Sequence, residues 1–353
     1  MGVGDKILAS EYNAIYNLMA PIVGPTTSNV DLGYGRTLLS SPVAIGNTVT
    51  SLQQTNLWKD LQAGYIHQTN IANTRVDIDD VEVGDLIRFV NVTNFDLFAD
   101  DVVAFNPVST DFPTANFDEA SLLTSSSTST SSSRSTAWGT GATSRIGHRV
   151  TVSWPSANAR NHFWNAGGQM RFDASLTGGT SGTSNTKDWD WNRILAEMGK
   201  IRIRKKGSNY VTDSLGTGGT GTSLGLGSLS TNSNTSGGFF TSPTRLYTKQ
   251  GGGVTGGNPG TVPVTQIYDD NEYQINIVVP NTSQMIFEIV FDDADTGTGG
   301  QSESVNDPVD ESVGGTVTSN LYTFTPNSNF TIGASTFDAI VQTAPTGTVD
   351  SSL

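Results

Sequence analysis

The chain predicts a mainly β protein: an antiparallel β-sandwich-like body with short helical insertions, preceded by a small N-terminal helical segment. Three observations point there. The first is composition: 39 glycines accompany a hydrophobic content of 35% and a charged content of only 15%. Small, hydroxylated and glycine-rich chains suit sheets with long turns better than a packed helical core. The second is alternation, clearest in "EYQINIVVP" and "QMIFEIVFDD". There Tyr273, Ile275, Ile277 and Val279, then Phe287, Ile289 and Phe291, recur at every second residue. The third is a change of period near residue 75, from steps of three and four to steps of two. The 353 residues accordingly divide into a helical docking segment (1–75), a β-rich domain with two short helices (76–207), and a Gly-rich connection followed by C-terminal sandwich strands (208–353).

Taken in order, "KILASEYNAIYNLMAPIVG" carries Leu8, Tyr12, Ile15, Met19 and Ile22 on one helical face, with Pro21 and Gly24 as stop signals. A second helix runs from Ser51 to about Tyr65, where Ser51 and Gln54 match a capping box and Leu57, Trp58, Leu61 and Tyr65 line one face. Two short amphipathic helices are marginal alone, so Leu8, Tyr12, Ile15, Met19, Leu57, Trp58 and Leu61 are the expected assembly residues. "RVDIDDVEVGDLIRFVNV" then reads as a strand. The Ser/Thr tract after Phe117 is either a linker or an edge strand of stacked hydroxyls. "RIGHRVTVSW" is a strand; "SANARNHFWNAGG" is a helix with Ser156 as N-cap and Gly167 as C-cap; "QMRFDASLT" is a strand. "DWDWNRILAEMGK" is a helix capped by Asp188 and closed by Gly199, with Trp191, Ile194, Leu195 and Met198 facing inward. "KIRIRKK" returns as a strand with one wet face, and the glycine-rich stretch from Gly207 to Ser236 reads as a long loop. "PNTSQ" joins the two clearest strands as a hairpin, and "GGTVTSNLYTFTP" adds another strand.

A net charge of −14 opposes a phosphate-binding surface, so nucleic acid is not an expected partner. No apolar run reaches the length of a membrane span, and no basic-then-apolar leader opens the chain. The expectation is synthesis in a host cytosol and export by lysis or within a particle. The absence of cysteine excludes disulfides, thiolate metal sites and a Cys nucleophile. His67, His148 and His162 lack metal-pair spacing, HExxH and a G-x-S-x-G elbow, so they read as structural. No GxxxxGK[ST] loop is present, and no cofactor is expected. Acidic clusters stand at Asp77–Asp80, Asp269–Glu272 and in "FDDADTGTGG". In the last, Asp292, Asp293 and Asp295 have the hard oxygens that Ca²⁺ takes, but not EF-hand spacing, and a solvated acidic turn is the stronger reading. Trp154, Trp164, Trp189 and Trp191 read as core rather than sugar platform.

Three segments also stand in a recognisable order. They are "ILASEYNAI" with "GYGRTLLSSPVAIGNTVTSLQQTNLWKDL" and the following "HQT"; "HRVTVSWPSANARNHFWNAGGQMRFDASLTGGTSGTSNTKDWDWNRILAEMGKI"; and "IFEIVFDDADTG" with "DPVDESVGGTVT". Together they resemble a family of virion structural proteins of tailed phages, common in phages of cyanobacteria and other aquatic bacteria. The Ser/Thr tract near Ser125 and the stretch near Gly216 depart from that pattern. The resemblance implies a non-enzymatic tail or tail-fibre component of the virion, with no catalytic residues to carry over. The expected partners are further copies of the chain, neighbouring tail, baseplate or neck proteins, and a host surface glycan. A head-decoration or neck-collar protein and a receptor- or glycan-binding adhesin are the alternatives. A polysaccharide depolymerase is weighed least, because it needs facing carboxylates in an aromatic-lined groove.

Overall fold

A computed structural model of the chain describes residues 9–24, 38–69, 128–140, 144–165, 168–182, 186–206, 209–214, 216–251, 255–256, 264–265, 268, 270–294, 312–324 and 341–343. It is mainly β and antiparallel, as the alternation requires. The helical unit holds α1 (Ala9–Val23) and α2 (Ser51–Thr69). The body opens with β1 (Thr128–Arg134), β2 (Arg145–Ser153), α3 (Ala157–Asn165), β3 (Gln169–Thr177), α4 (Lys187–Met198), β4 (Ile201–Lys206) and β5 (Asn209–Ser214). Short strands follow: β6 (Thr220–Gly221), β7 (Ser223–Gly225), β8 (Thr235–Ser236) and β9 (Phe239–Phe240). Then come β10 (Thr244–Gln250), β11 (Thr255–Gly256), β12 (Val264–Thr265), β13 (Glu272–Asn281), β14 (Gln284–Asp292), β15 (Thr316–Phe324) and β16 (Val341–Thr343).

Two six-stranded sheets result, ordered β1-β15-β3-β4-β5-β7 and β16-β2-β14-β13-β10-β6. The predicted pair forms as read, with Tyr273 opposite Phe291, Ile275 opposite Ile289 and Ile277 opposite Phe287. Inner-face side chains of both sheets share one core, and Phe172 of β3 meets Phe287 of β14 with ring centroids 5.3 Å apart. That contact is what makes the architecture a sandwich. Strands from 128–206 and from 209–324 interleave within both sheets, so the segments expected as 76–207 and 208–353 contribute to one core. The Ser/Thr tract supplies β1, an edge strand, which decides between the two readings of that tract.

The glycine-rich stretch is not a loop. It supplies β5 to β8: β5 pairs with β4 and β7, β6 with the more distant β10, and β8 with β9. Thr222, between β6 and β7, donates its N–H to Leu246 O at 3.1 Å and accepts the Thr212 N–H at 3.0 Å. Strands of two or three residues show no period, which is why composition alone reads as loop. At the tip of β8–β9, Gly237 and Gly238 both have positive φ, 57° and 88°, the requirement of a tight two-residue hairpin turn. Nor is the charged face of β4 wet. Arg202 is buried, and it and Arg204 both bond Asp213 of β5, at 2.9 and 2.7 Å. Burial alone would raise the Asp213 carboxyl, but the two guanidinium groups outweigh it and hold it below its ordinary range.

Helix ends correct three sequence assignments. The α2 box is one residue earlier than predicted: Thr50 Oγ1 accepts from Gln53 N–H at 3.2 Å while Gln53 Oε1 accepts from Thr50 N–H at 2.9 Å. Pro21 lies inside the last turn of α1, which stops at Val23 with Gly24 N–H bonded to Ala20 O. Helix α4 is capped by Thr186, whose hydroxyl accepts from Trp189 N–H at 3.2 Å, and not by Asp188. Gly199 closes α4 at φ 62°, and Ser156 caps α3 through Ala159 N–H, both as read. Gly167 lies outside the described residues.

Candidate functional site

In the helical unit the predicted assembly residues face one another. Tyr12, Ile15, Met19, Leu57, Trp58 and Leu61 are all buried, forming one small core with Ala9, Val23, Val43 and Val49. Amphipathic helices in contact satisfy each other's apolar faces, so these side chains are used inside the unit rather than left for a partner. Leu8 and the side chain of Tyr65 lie outside the described residues. The link between the helices is pinned by side chains. Asn13 donates to Val43 O and accepts from Val43 N–H, both at 2.8 Å. Asp60 accepts from Ser40 N–H at 2.8 Å, Ser40 Oγ at 2.7 Å and Leu39 N–H at 3.2 Å. Burial, with added repulsion from Asp60 and Tyr16, outweighs a backbone hydrogen bond and pushes the Tyr12 phenol up to about 12. What remains exposed in this unit is a different set: Leu18, Leu39, Ile45 and Leu52.

In the body, Lys187, Asp188, Asp190 and Asp293, all buried, gather at the first turn of α4, which Thr186 caps. Lys187 Nζ lies 2.8 Å from Asp293 Oδ2 and 2.9 Å from Gly139 O, with both side chains at 2% exposure or less. With its amide nitrogen turned towards Asp293, Asn271 donates to Oδ1 at 2.5 Å and accepts from the Trp191 indole at 3.3 Å. Asp188 takes the Gly314 and Gly315 N–H groups at 2.9 Å each and Thr180 N–H at 2.8 Å. Asp190 accepts Tyr268 N–H at 2.9 Å. Thus three carboxylates and one ammonium tie four distant loops to one helix end. Trp138, Trp191 and Phe291 wall the cluster, with Trp138 and Trp191 ring centroids 5.2 Å apart. No motif marks this set, because Lys187 and Asp293 are 106 residues apart.

The calcium reading meets this geometry directly. Asp293 turns inward to Lys187, while Asp292, on the outer face of β14, pairs with Arg145. The two adjacent carboxylates therefore diverge, and Asp295 lies outside the described residues. Among the described residues no group of three or more His, Asp or Glu side chains converges as a metal site. Of the histidines, His148 is on the inner face of β2, buried, with Nε2 3.4 Å from Ser319 Oγ. Among the described residues no hydrogen-bond partner meets its Nδ1. Burial lowers its ring to about 4, so it is neutral at pH 7. The side chains of His67 and His162 lie outside the described residues. Trp154, Trp164 and Trp191 are core, whereas Trp189 is half-buried under Arg193, whose guanidinium is 4.7 Å from the ring centre.

Both outer faces carry polar side chains in register. On one sheet, Arg149 bonds the buried Glu288 at 2.7 Å and lies 4.0 Å over Phe240, so the β8–β9 hairpin caps a buried ion pair. On the other, Asn320 of β15 donates to Asp173 of β3 at 2.7 Å, beside Tyr322 and beside Arg171 stacked 4.1 Å over Phe324. The chain was compared with known protein families, curated proteins and solved structures, and nothing matches it in any of the three. Among the described residues no helix is long and apolar enough to cross a membrane.

Proposed function

We propose that the chain is a non-enzymatic virion structural protein of a tailed phage, a tail or tail-fibre component that assembles with further copies of itself. One observation carries the reading beyond the three-segment resemblance. Among the described residues the exposed large hydrophobics are Leu18, Leu39, Ile45 and Leu52, with Ile45 at 93% exposure, and all four belong to the helical unit. Their confinement to one unit supports the reading that this unit carries the association surface. The body supports the reading differently: its buried charges tie loops together, as a rigid scaffold needs. Deleting residues 1–70, or replacing Leu39, Ile45 and Leu52 together by Ser, should leave a folded β body that no longer enters particles. Antibody labelling of particles by negative-stain imaging reads this, and normal copy number in the mutant virions would sink the proposal.

A glycan-binding adhesin is the second reading, favoured by the outer face of β15 and β3. Asn320, Asp173 and Tyr322 set an amide, a carboxylate and a phenol side by side, the groups that meet sugar hydroxyls and a sugar ring. Asn320→Ala with Tyr322→Ala should weaken binding to host surface polysaccharide at least tenfold. Equal retention of mutant and parent on immobilised polysaccharide argues for the purely structural role.

A further inference from the structure

A Lys–Asp ion pair with 0% and 2% side-chain exposure is an expensive arrangement, because both charges lose their water. Here the two groups also have the contact, the walls and the hydrogen bonds of a reaction site. We propose that Lys187 and Asp293 join through an intramolecular amide, an isopeptide bond between Nζ and Cγ, formed by the folded chain itself.

The chemistry balances without any further reagent. One proton passes from the Lys187 ammonium to Asp293 Oδ2 along the 2.8 Å contact, giving an amine and a neutral acid. A water-excluded site favours that neutral pair over separated charges. Nζ, steered by its hydrogen bond to Gly139 O at 2.9 Å, adds to Cγ. The negative charge that develops on Oδ1 meets the Asn271 amide N–H, already 2.5 Å away, which acts as an oxyanion donor. Nitrogen then gives up a proton, Oδ2 takes one and leaves as water, and Oδ1 returns to a carbonyl. Lys plus Asp thus becomes amide plus one water.

Asp190, in the same helical turn, would carry that proton. It sits three residues along from Lys187 on the same helix face, is buried, and accepts Tyr268 N–H at 2.9 Å. The Lys187 ammonium lies 5.3 Å from the centre of the Tyr268 ring, so both side chains meet the same residue. Gly139 closes the site from the other side. Its φ of 90° suits glycine, and a Cβ there would stand 2.9 Å from Asp293 Oδ2 and 3.2 Å from Val313. The backbone therefore seals the pair from solvent. The bond would link the start of α4 to the end of β14, closing a loop of 106 residues in a chain with no cysteine. Cross-links of that span restrict the unfolded chain most.

Intact-mass measurement of the purified full-length chain under denaturing conditions tests this. The expected mass is lower than the sequence mass by about 18 Da, one water, and tryptic digestion should yield a branched peptide joining Lys187 to Asp293. Lys187→Arg keeps the charge but not the reactive amine and should show the full sequence mass. Asp190→Asn should form the bond more slowly, with a mixture of both masses soon after purification. Mass reading works whether or not a variant folds well. An unmodified wild-type mass overturns the proposal, as does a water loss that maps to a cyclised Asp alone or persists in Lys187→Arg.

Discussion

The helical unit and the β body both hold irregular segments in place, by opposite means. In the helical unit the link over residues 38–50 is fixed by a few side chains that read backbone, chiefly Asn13 and Asp60. In the body, segments with no period of their own are fixed by backbone ladders and by one charged cluster that serves several loops at once. The first arrangement concentrates stability in single residues above a core of, among the described residues, ten buried apolar side chains. The second spreads it across a core roughly three times larger, to which both sheets contribute. A small unit with point-like restraints can rearrange by breaking a few bonds. A large one with distributed restraints suits carrying shape.

The comparison breaks first at the sheet interface. Phe287→Ala removes the β14 ring that meets Phe172 and should cost about 3–5 kcal/mol. Urea unfolding followed by tryptophan fluorescence measures it, and a loss under ~1 kcal/mol would mean the sheets are not closely packed there.

The second test is pH, and it concerns the body alone. The folded His148 ring titrates at about 4 instead of 6.5, because burial disfavours its charged form. The unfolded chain takes up a proton as pH falls below 6.5 while the folded chain does not, so stability declines from there down to about 4 and no further. The full loss is roughly 3 kcal/mol. His148→Leu should flatten this part of the profile relative to wild type. Parallel declines for both proteins between pH 7 and 4 would show that His148 is not the cause.

The smallest effect sharpens the helical unit. Thr50→Ala removes the cap and should cost about 1 kcal/mol, whereas Ser51→Ala should cost less than ~0.5 kcal/mol. Equal effects on thermal unfolding would place the box at neither residue. Both Thr50-x-x-Gln53 and Ser51-x-x-Gln54 satisfy the motif in sequence, and only the backbone angle at the helix entry chooses between them.

That case shows where the chain is legible. Long alternating segments such as Tyr273–Val279 and Phe287–Phe291 declared their strand type and register, because one face must reach the core. The inward face of α4 and its closing Gly199 were equally plain. Short strands inside the glycine-rich stretch were not, since two or three residues show no period and β6 and β7 are set by their pairing with β10 and β5. The helical stripes were read correctly as apolar and wrongly as available, for a stripe does not say which partner covers it. The charged cluster was the least legible part. Asp188 looked like a cap, and Asp293 looked like a solvated turn. Both signals were local, whereas the geometry that defines them brings together residues more than a hundred positions apart.

Thr222 bears on how copies of this chain can meet. Its backbone is bonded to β5 of one sheet and to β10 of the other, so that margin of the sandwich is sewn shut. Relative sliding of the sheets there requires breaking both bonds. Neither sheet offers a long open ladder on that side, since β6 and β7 span two and three residues. The opposite margin ends on β1 and β16, and β1 has a full seven-residue edge of Ser and Thr closing with Arg134. Among the described residues, β1 is therefore the longest strand at a sheet margin. If two copies met edge to edge at β1, each would use its longest described edge and the joining would stop at a pair, whereas a sheet with long open edges on both margins propagates into a fibre.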